Sequence, residues 1–339
     1  MEAPLYPLAQ LPWLRAPWLQ WQQLQDRLGH AYLLLSAQGI GIELMVEQMA
    51  KQALCQHASS QGACGQCVSC QLFSSGQHPD FFQLQRLEDK TTVGVDQVRQ
   101  LIEKQNETSH QGGYKVIVVA EVENLKLAAF NALLKTLEEP AQRTLFILTC
   151  AQQSRLPATI KSRCQKMTVS TPELAMALSW LAQQRPQFDQ ALLKRALRLN
   201  WGAPLMALTW IDKGGVQEYA EWQEGLKQAQ SNKKVLSKVI LPWLKWPNPL
   251  RVFDYFYFWA LMQNRKIVYA ASVLEDKAAV LELLQFQQQV LQAKNAWQGN
   301  ANKELVLENL LALWVQQNDQ SKSEMRQKLF HEKLRRGLL

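Results

Sequence analysis

Cys55, Cys64, Cys67 and Cys70 stand in the spacing C-x8-C-x2-C-x2-C. Zinc takes four soft or borderline ligands in a tetrahedron, and cysteines separated by two residues bend the backbone into half of such a site. Gly62 and Gly65 let this segment turn tightly. Four thiolates leave no open coordination position, so the zinc they predict is structural rather than catalytic. An iron–sulfur cluster also uses C-x2-C-x2-C but takes a further cysteine. The other two, Cys150 and Cys164, sit in core-like stretches. The bland alternative is four unrelated thiols, each buried as a small hydrophobe. Three thiols within seven residues of polar sequence argue against it. His57 and His78 are candidate substitute ligands.

A second stretch has the layout of a phosphate loop without its chemistry. The apolar run His30–Leu35 leads into Ser36-Ala37-Gln38-Gly39-Ile40-Gly41-Ile42-Glu43. Set against G-x-x-x-x-G-K-[ST], Gly39 and Gly41 keep the backbone freedom. Ile42 stands where a lysine would neutralise the β- and γ-phosphates, and Glu43 where a hydroxyl would bind magnesium. An apolar residue and an anion at these places remove most of the electrostatic reason for a nucleotide to bind. A strand that ends at Ala120-Glu121 repeats the pattern. The aspartate that would help hold magnesium is Ala120, while Glu121, the carboxylate that would orient water, remains. Taken alone, these are also what a functionless glycine turn and a solvated strand-end carboxylate look like.

The elements that must position these residues read as alternating strands and helices over the first 165 residues. Strands are predicted at His30–Ser36, Lys115–Ala120 and Thr144–Cys150, and helices at Met45–Cys55 and Lys126–Leu137. Continuously apolar strands alternating with helices predict a parallel sheet covered on both faces. Beyond about residue 170 the strand signals stop. Helices are predicted at Pro172–Gln184, N-capped by Thr171, then Phe188–Leu199, Ala203–Ile211, Tyr219–Ala229, Val252–Gln263, Ala278–Ala296 and Lys303–Gln317. In the last, Leu307, Leu310, Leu311, Trp314 and Val315 form one apolar stripe. The expected division is an α/β domain over 1–168 with the cysteine module at 55–70, a three-helix domain over 169–214 and a helical domain over 215–339.

Composition bounds the rest. The chain has 339 residues, of which 47% are apolar and 19% charged, enough to bury sizeable cores and too apolar for disorder. No apolar run reaches the roughly 18–20 residues that cross a bilayer, and the N-terminus has no signal-peptide pattern. A cytoplasmic protein with no membrane partner is expected. Six cysteines are too few for a disulfide scaffold. The net charge of +8 mildly favours acidic partners. Residues 321–339 carry half of that excess, and they read as a solvated basic face or, less simply, as a phosphate-contacting tail.

Together these pieces resemble a clamp-loader subunit of the AAA+ family. The resemblance rests on His30-Ala31-Tyr32-Leu33, the four-cysteine module after the first helix, Asn131–Pro140 (NALLKTLEEP), Ser162-Arg163-Cys164 and, more loosely, Asn302-Lys303-Glu304-Leu305. It implies an N-terminal AAA+-type (P-loop NTPase-like) domain with a structural zinc module, then an all-α lid and an all-α collar that assembles with other subunits. It implies a place in bacterial DNA polymerase III, at the replisome, beside gamma/tau and delta subunits. The sliding clamp and primed DNA would be targets of the whole complex. The departures imply a non-hydrolysing member with no functional ATP site and no activity of its own. The ATP-hydrolysing members keep the loop lysine and threonine, here Ile42 and Glu43. They also keep a sensor arginine in the lid, where Leu205 stands within Gly202–Leu208. By the same resemblance, Arg163 projects into a neighbour's ATP site as a trans-acting arginine. Without it, Arg163 reads as a surface arginine paired with a carboxylate.

Two other classes compete with that reading. One is an active clamp-loader-type ATPase using a variant loop. The other is a zinc-dependent DNA-binding protein, suggested by the basic tail and the twelve tryptophans. Exposed aromatics would stack on bases, whereas most of these tryptophans fall within apolar helical patterns and so read as core.

Overall fold

The computed structural model of the chain describes residues 8–24, 27–84, 94–232, 235–269 and 277–318. The basic stretch 321–339 lies outside them. The chain forms two compact units that divide after Thr209.

The first unit is built on five strands: β1 (Ala31–Ser36), β2 (Phe81–Leu84), β3 (Lys115–Val119), β4 (Thr144–Cys150) and β5 (Gln165–Val169). All pair in parallel, in the order β2-β3-β4-β1-β5. Parallel strands need crossover connections, and helices supply them here. These are α2 (Ile42–Leu54), α3 (Val68–Ser74), α4 (Val95–Asn106), α5 (Leu127–Glu138) and α6 (Ala158–Arg163), preceded by α1 (Arg15–Gln22). Side chains alternate between the two faces of a strand. Leu33, Ile117, Phe146 and Leu148 therefore share one core with Leu101 of α4, Phe130, Leu133 and Leu137 of α5, and Ile160 of α6. On the other face α2 packs against β3 and β4, and Met45, Val46 and Met49 are buried there. Residues 8–24 join this unit: Trp21 meets Tyr32 edge-on at 5.2 Å and donates its indole N–H to Gln52 Oε1 at 3.0 Å.

The sheet covered on both faces matches the expectation from sequence, as do the three central strands. The two outer strands, β2 and β5, and helix α4 were not anticipated. β5 alternates exposed and buried residues, so it lacks the continuous apolar run that betrays a central strand.

Three helices follow the sheet: α7 (Leu174–Gln184), α8 (Gln190–Leu199) and α9 (Pro204–Asp212). The expected Thr171 cap is not used. α7 begins at Leu174, with Glu173 before it and no side-chain cap, because Pro172 holds the chain extended past Thr171. α8 is capped by Asp189, which accepts from Leu192 N at 2.7 Å. The boundary between the two units falls inside α9.

The second unit is helical: α10 (Gly215–Ser231), α11 (Leu236–Leu244), α12 (Arg251–Tyr269), α13 (Lys277–Gln298) and α14 (Lys303–Gln317). Its core is aromatic. Phe256 contacts Trp222, Trp243, Phe286 and Trp314 at ring-centroid distances of 5.4–6.4 Å. The expected stripe on α14 is buried throughout. Arg251 pairs with the buried Glu218 at 2.7 Å. Nine of the twelve tryptophans are buried, so they serve cores and offer no platform for bases. Among the described residues, no helix is long and apolar enough to cross a membrane.

Candidate functional site

The turn between β1 and α2 has the backbone of a phosphate loop. Gly39 and Gly41 both take left-handed φ, 74° and 86°, and Gly41 caps the N-terminus of α2. That terminus would ordinarily favour an anion. Here its surroundings come from the same chain. A Cβ on Gly39 would lie 2.1 Å from Met206 Cγ. One on Gly41 would lie 2.8 Å from Leu11 Cδ1 and 3.1 Å from Leu205 Cδ1. The Trp13 indole donates to Ile40 O at 2.7 Å, and Leu205 N donates to Gly39 O at 3.1 Å. Ile40 and Ile42 are 0% and 5% exposed, so the Ile42 position belongs to the core rather than to an open cradle. Residues 11–14 were not anticipated as part of this site, and apolar composition alone gives no sign of which turn they cover.

Two carboxylic acids, Glu43 and Glu121, lie beside the turn. The Glu43 carboxylate accepts its own backbone N–H and puts an acidic side chain in the first turn of α2. Burial of its inner side and the nearby Glu121 raise its pKa above the ordinary carboxylate value, although its outer surface remains in solvent. Glu121 has left-handed φ, 48°. It accepts from Gln38 Nε2 at 2.8 Å and from Asn124 Nδ2 at 3.0 Å. The structure therefore brings Ser36–Glu43, Glu121 and Leu205 together. It fills them with amides and aliphatic groups. Ser36 donates to Ala37 O at 2.8 Å, an internal bond of the turn.

The cysteine module leaves α2 at Cys55 and returns through α3. Gly62 and Gly65 take positive φ, and a bridge between Ser59 and Gly62 closes the loop. The Sγ atoms of Cys55, Cys64, Cys67 and Cys70 all lie within 4.8 Å of one another. Metal–sulfur bonds of about 2.3 Å make a tetrahedron with edges of about 3.8 Å. Cys55 and Cys67 are 3.9 Å apart. Backbone N–H groups of Cys64, Cys67 and Cys70 donate to the sulfurs of Cys55, Cys64 and Cys67 at 3.2–3.4 Å, which favours thiolates. Burial pushes Cys70 up to about 12. Cys67 is also raised by burial, but the Cys70 and Gln56 amides outweigh this and bring it down to about 6. The donor set thus fits a metal ion that prefers sulfur.

Neither histidine joins it. His78 is buried, shares a 2.7 Å hydrogen bond with Ser69 Oγ and accepts from Asp80 N. Asp80 accepts from Ser109, His110 and Gln111, so this network ties the module to the loop before β3. His57 is exposed and lies outside the sulfur cluster. Cys150 and Cys164 are buried in the sheet core, and burial raises them to about 12 and about 11.

Arg163 is the last residue of α6. Its Nη2 pairs with Glu138 Oε1 at the C-terminal end of α5, and its Nη1 donates to Thr159 O at 3.0 Å and Ser162 Oγ at 3.3 Å. None of these partners belongs to the turn at 36–43. The side chain is one-third exposed. Glu138 is the pairing carboxylate that sequence reading left unnamed, although it lies within Asn131–Pro140.

Residues 16–173 match a family described as DNA polymerase III, delta subunit. The chain is 36% identical over 321 residues to DNA polymerase III subunit delta' of Pseudomonas aeruginosa, covering 88% of this chain and 97% of that protein. It is 38% identical over 240 residues to the Yersinia pestis protein of the same name, covering 69% and 70%. Against the Escherichia coli protein of that name it is 40% identical over 199 residues, covering 58% and 59%.

Proposed function

The chain belongs to the DNA polymerase III delta' family, and from that premise we propose that it is the non-hydrolysing subunit of the clamp loader, lending an arginine to a neighbour's ATP site. In this reading it works beside gamma/tau and delta subunits in the cytoplasm. The complex as a whole opens the sliding clamp and places it on primed DNA. Residues 1–168 form the AAA+-type domain, 169–214 the lid and 215–339 the collar.

The observation that carries the reading is a contrast within the first unit. The turn that would hold a triphosphate is packed with Leu11, Leu205 and Met206, while Arg163 stays partly in solvent. An arginine suits the task because it is always charged and presents a planar fork to two oxygens. Placed against a neighbour's γ-phosphoryl oxygens, it would stabilise charge that develops in transfer. Both Glu121 carboxylate oxygens, which would orient water in an active site, already accept from the Gln38 and Asn124 side-chain amides. Cys55, Cys64, Cys67 and Cys70 would hold a structural zinc, whose four thiolates close its coordination sphere and stiffen the connection between α2 and β2.

Two measurements test this. Arg163→Ala, in a reconstituted loader, should slow ATP hydrolysis at the adjoining site by about 10³-fold; DNA-stimulated hydrolysis and clamp loading at the native rate would overturn the role. Labelled ATP titrated into the isolated chain should show no micromolar binding. Saturable binding in that range would overturn the closed turn and favour an active ATPase.

A further inference from the structure

We propose that Glu138 is a positioning residue for Arg163: it parks the guanidinium against the end of α5 in the free subunit and yields it to a stronger anion on assembly. The inference rests on the trans-acting arginine described above and deepens it. Both terminal nitrogens of Arg163 are engaged by its own chain, Nη2 with the Glu138 carboxylate and Nη1 with Thr159 O and Ser162 Oγ. A guanidinium uses those same nitrogens for a bidentate grip on phosphate. Engagement with a neighbour's nucleotide therefore competes directly with Glu138. The pair joins the two sequence motifs, Asn131–Pro140 and Ser162–Cys164, that the nucleotide turn does not explain. Its exposure suits a reversible contact: the side chains are 33% and 47% exposed, so water can replace either partner at little cost. A polyphosphate keeps more negative charge than one solvated carboxylate even when a cation neutralises part of it, and it presents two oxygens to the fork, so it wins the exchange once the neighbour is in place. The carboxylate also keeps the guanidinium in one arrangement until then.

The first arm of the test uses the free chain. Phenylglyoxal modification of Arg163, followed by mass spectrometry of the peptide, should proceed about two- to fivefold faster in Glu138→Gln, the worth of one exposed ion pair. Glu138→Asp, which keeps the charge with a shorter reach, should fall between that variant and the native chain. Equal rates in all three would overturn the parking. The second arm uses the reconstituted loader. Glu138→Gln should lower the KM for ATP about two- to fivefold, with a smaller effect on kcat. A fall in turnover to the level of Arg163→Ala would overturn the proposal, because it would place Glu138 in the engaged state rather than the parked one. If Arg163→Ala itself leaves hydrolysis intact, the trans-acting role fails, and the modification rates still decide whether Glu138 parks the side chain.

Discussion

The first unit contains two glycine-hinged turns with opposite interiors. At 36–43, Gly39 and Gly41 hold left-handed backbone around a centre filled by the chain's own leucines and methionine. At 55–70, Gly62 and Gly65 hold left-handed backbone around a centre where four sulfurs converge, and a Cβ added at Gly65 would meet nothing within 4 Å. The backbone freedom is the same. What differs is which atoms the rest of the fold delivers to the middle. A turn is a binding site when its polar groups face a space that nothing else occupies, and glycine spacing reports only the first half of that condition.

The sharpest way to break the comparison is to empty the sulfur centre. Cys70→Ser should weaken zinc binding by about 10²-fold or more, read by competition with a chromogenic chelator. Chelation of the native chain should loosen residues 55–70 in hydrogen exchange. Because the ligands must be thiolates, zinc affinity should fall as pH falls and protons compete for the sulfurs. Unaltered exchange after chelation would mean that the module folds without metal. The mirror experiment restores charge to the packed turn. The double variant Ile42→Lys with Glu43→Thr should lose about 3 kcal/mol in denaturant unfolding, because an ammonium is placed at a buried position. It should still bind no ATP, since the neighbouring leucines remain; tight binding would show that charge alone had closed the turn.

Smaller changes sharpen the same point. Gly39→Ala should cost about 2 kcal/mol, from left-handed φ together with the overlap on Met206. The equivalent Gly65→Ala should cost less, since only the backbone strain applies there. The smallest effect is expected from Trp13→Phe, which leaves Ile40 O without its indole donor at a cost of about 1 kcal/mol. A loss of more than 3 kcal/mol would mean that the segment 8–14 holds the turn in place rather than covering it.

How much of this was legible in the sequence depends on how each element is buried. β1, β3 and β4 are covered on both faces, so each holds a run of consecutive apolar side chains and the strands read plainly. β2 and β5 lie at the two edges, and their residues alternate or are only half covered. Such short strands carry too little pattern to stand out from loops. α14 was placed to the residue because Asn302 caps it and its apolar stripe is complete. The cysteine cluster was readable because metal ligands close in sequence must be close in space. Neither the cover over the phosphate turn nor the pairing of Arg163 with Glu138 has a local signature. Leu11 lies about thirty positions from Gly41, and Leu205 more than 160. Only the folded chain shows that they meet.

The cover supplied by Leu11, Trp13 and Leu14 is covalently tethered to the turn it occupies. A soluble competitor must reach its site from the bulk, whereas a tethered group acts at an effective concentration set by its linker, which for short spans is millimolar or above. Dilution does not remove such an occupant, and swings in the cellular nucleotide pool contend with it on unequal terms. A turn built this way would stay closed at any nucleotide concentration, because its occupant arrives with the chain itself.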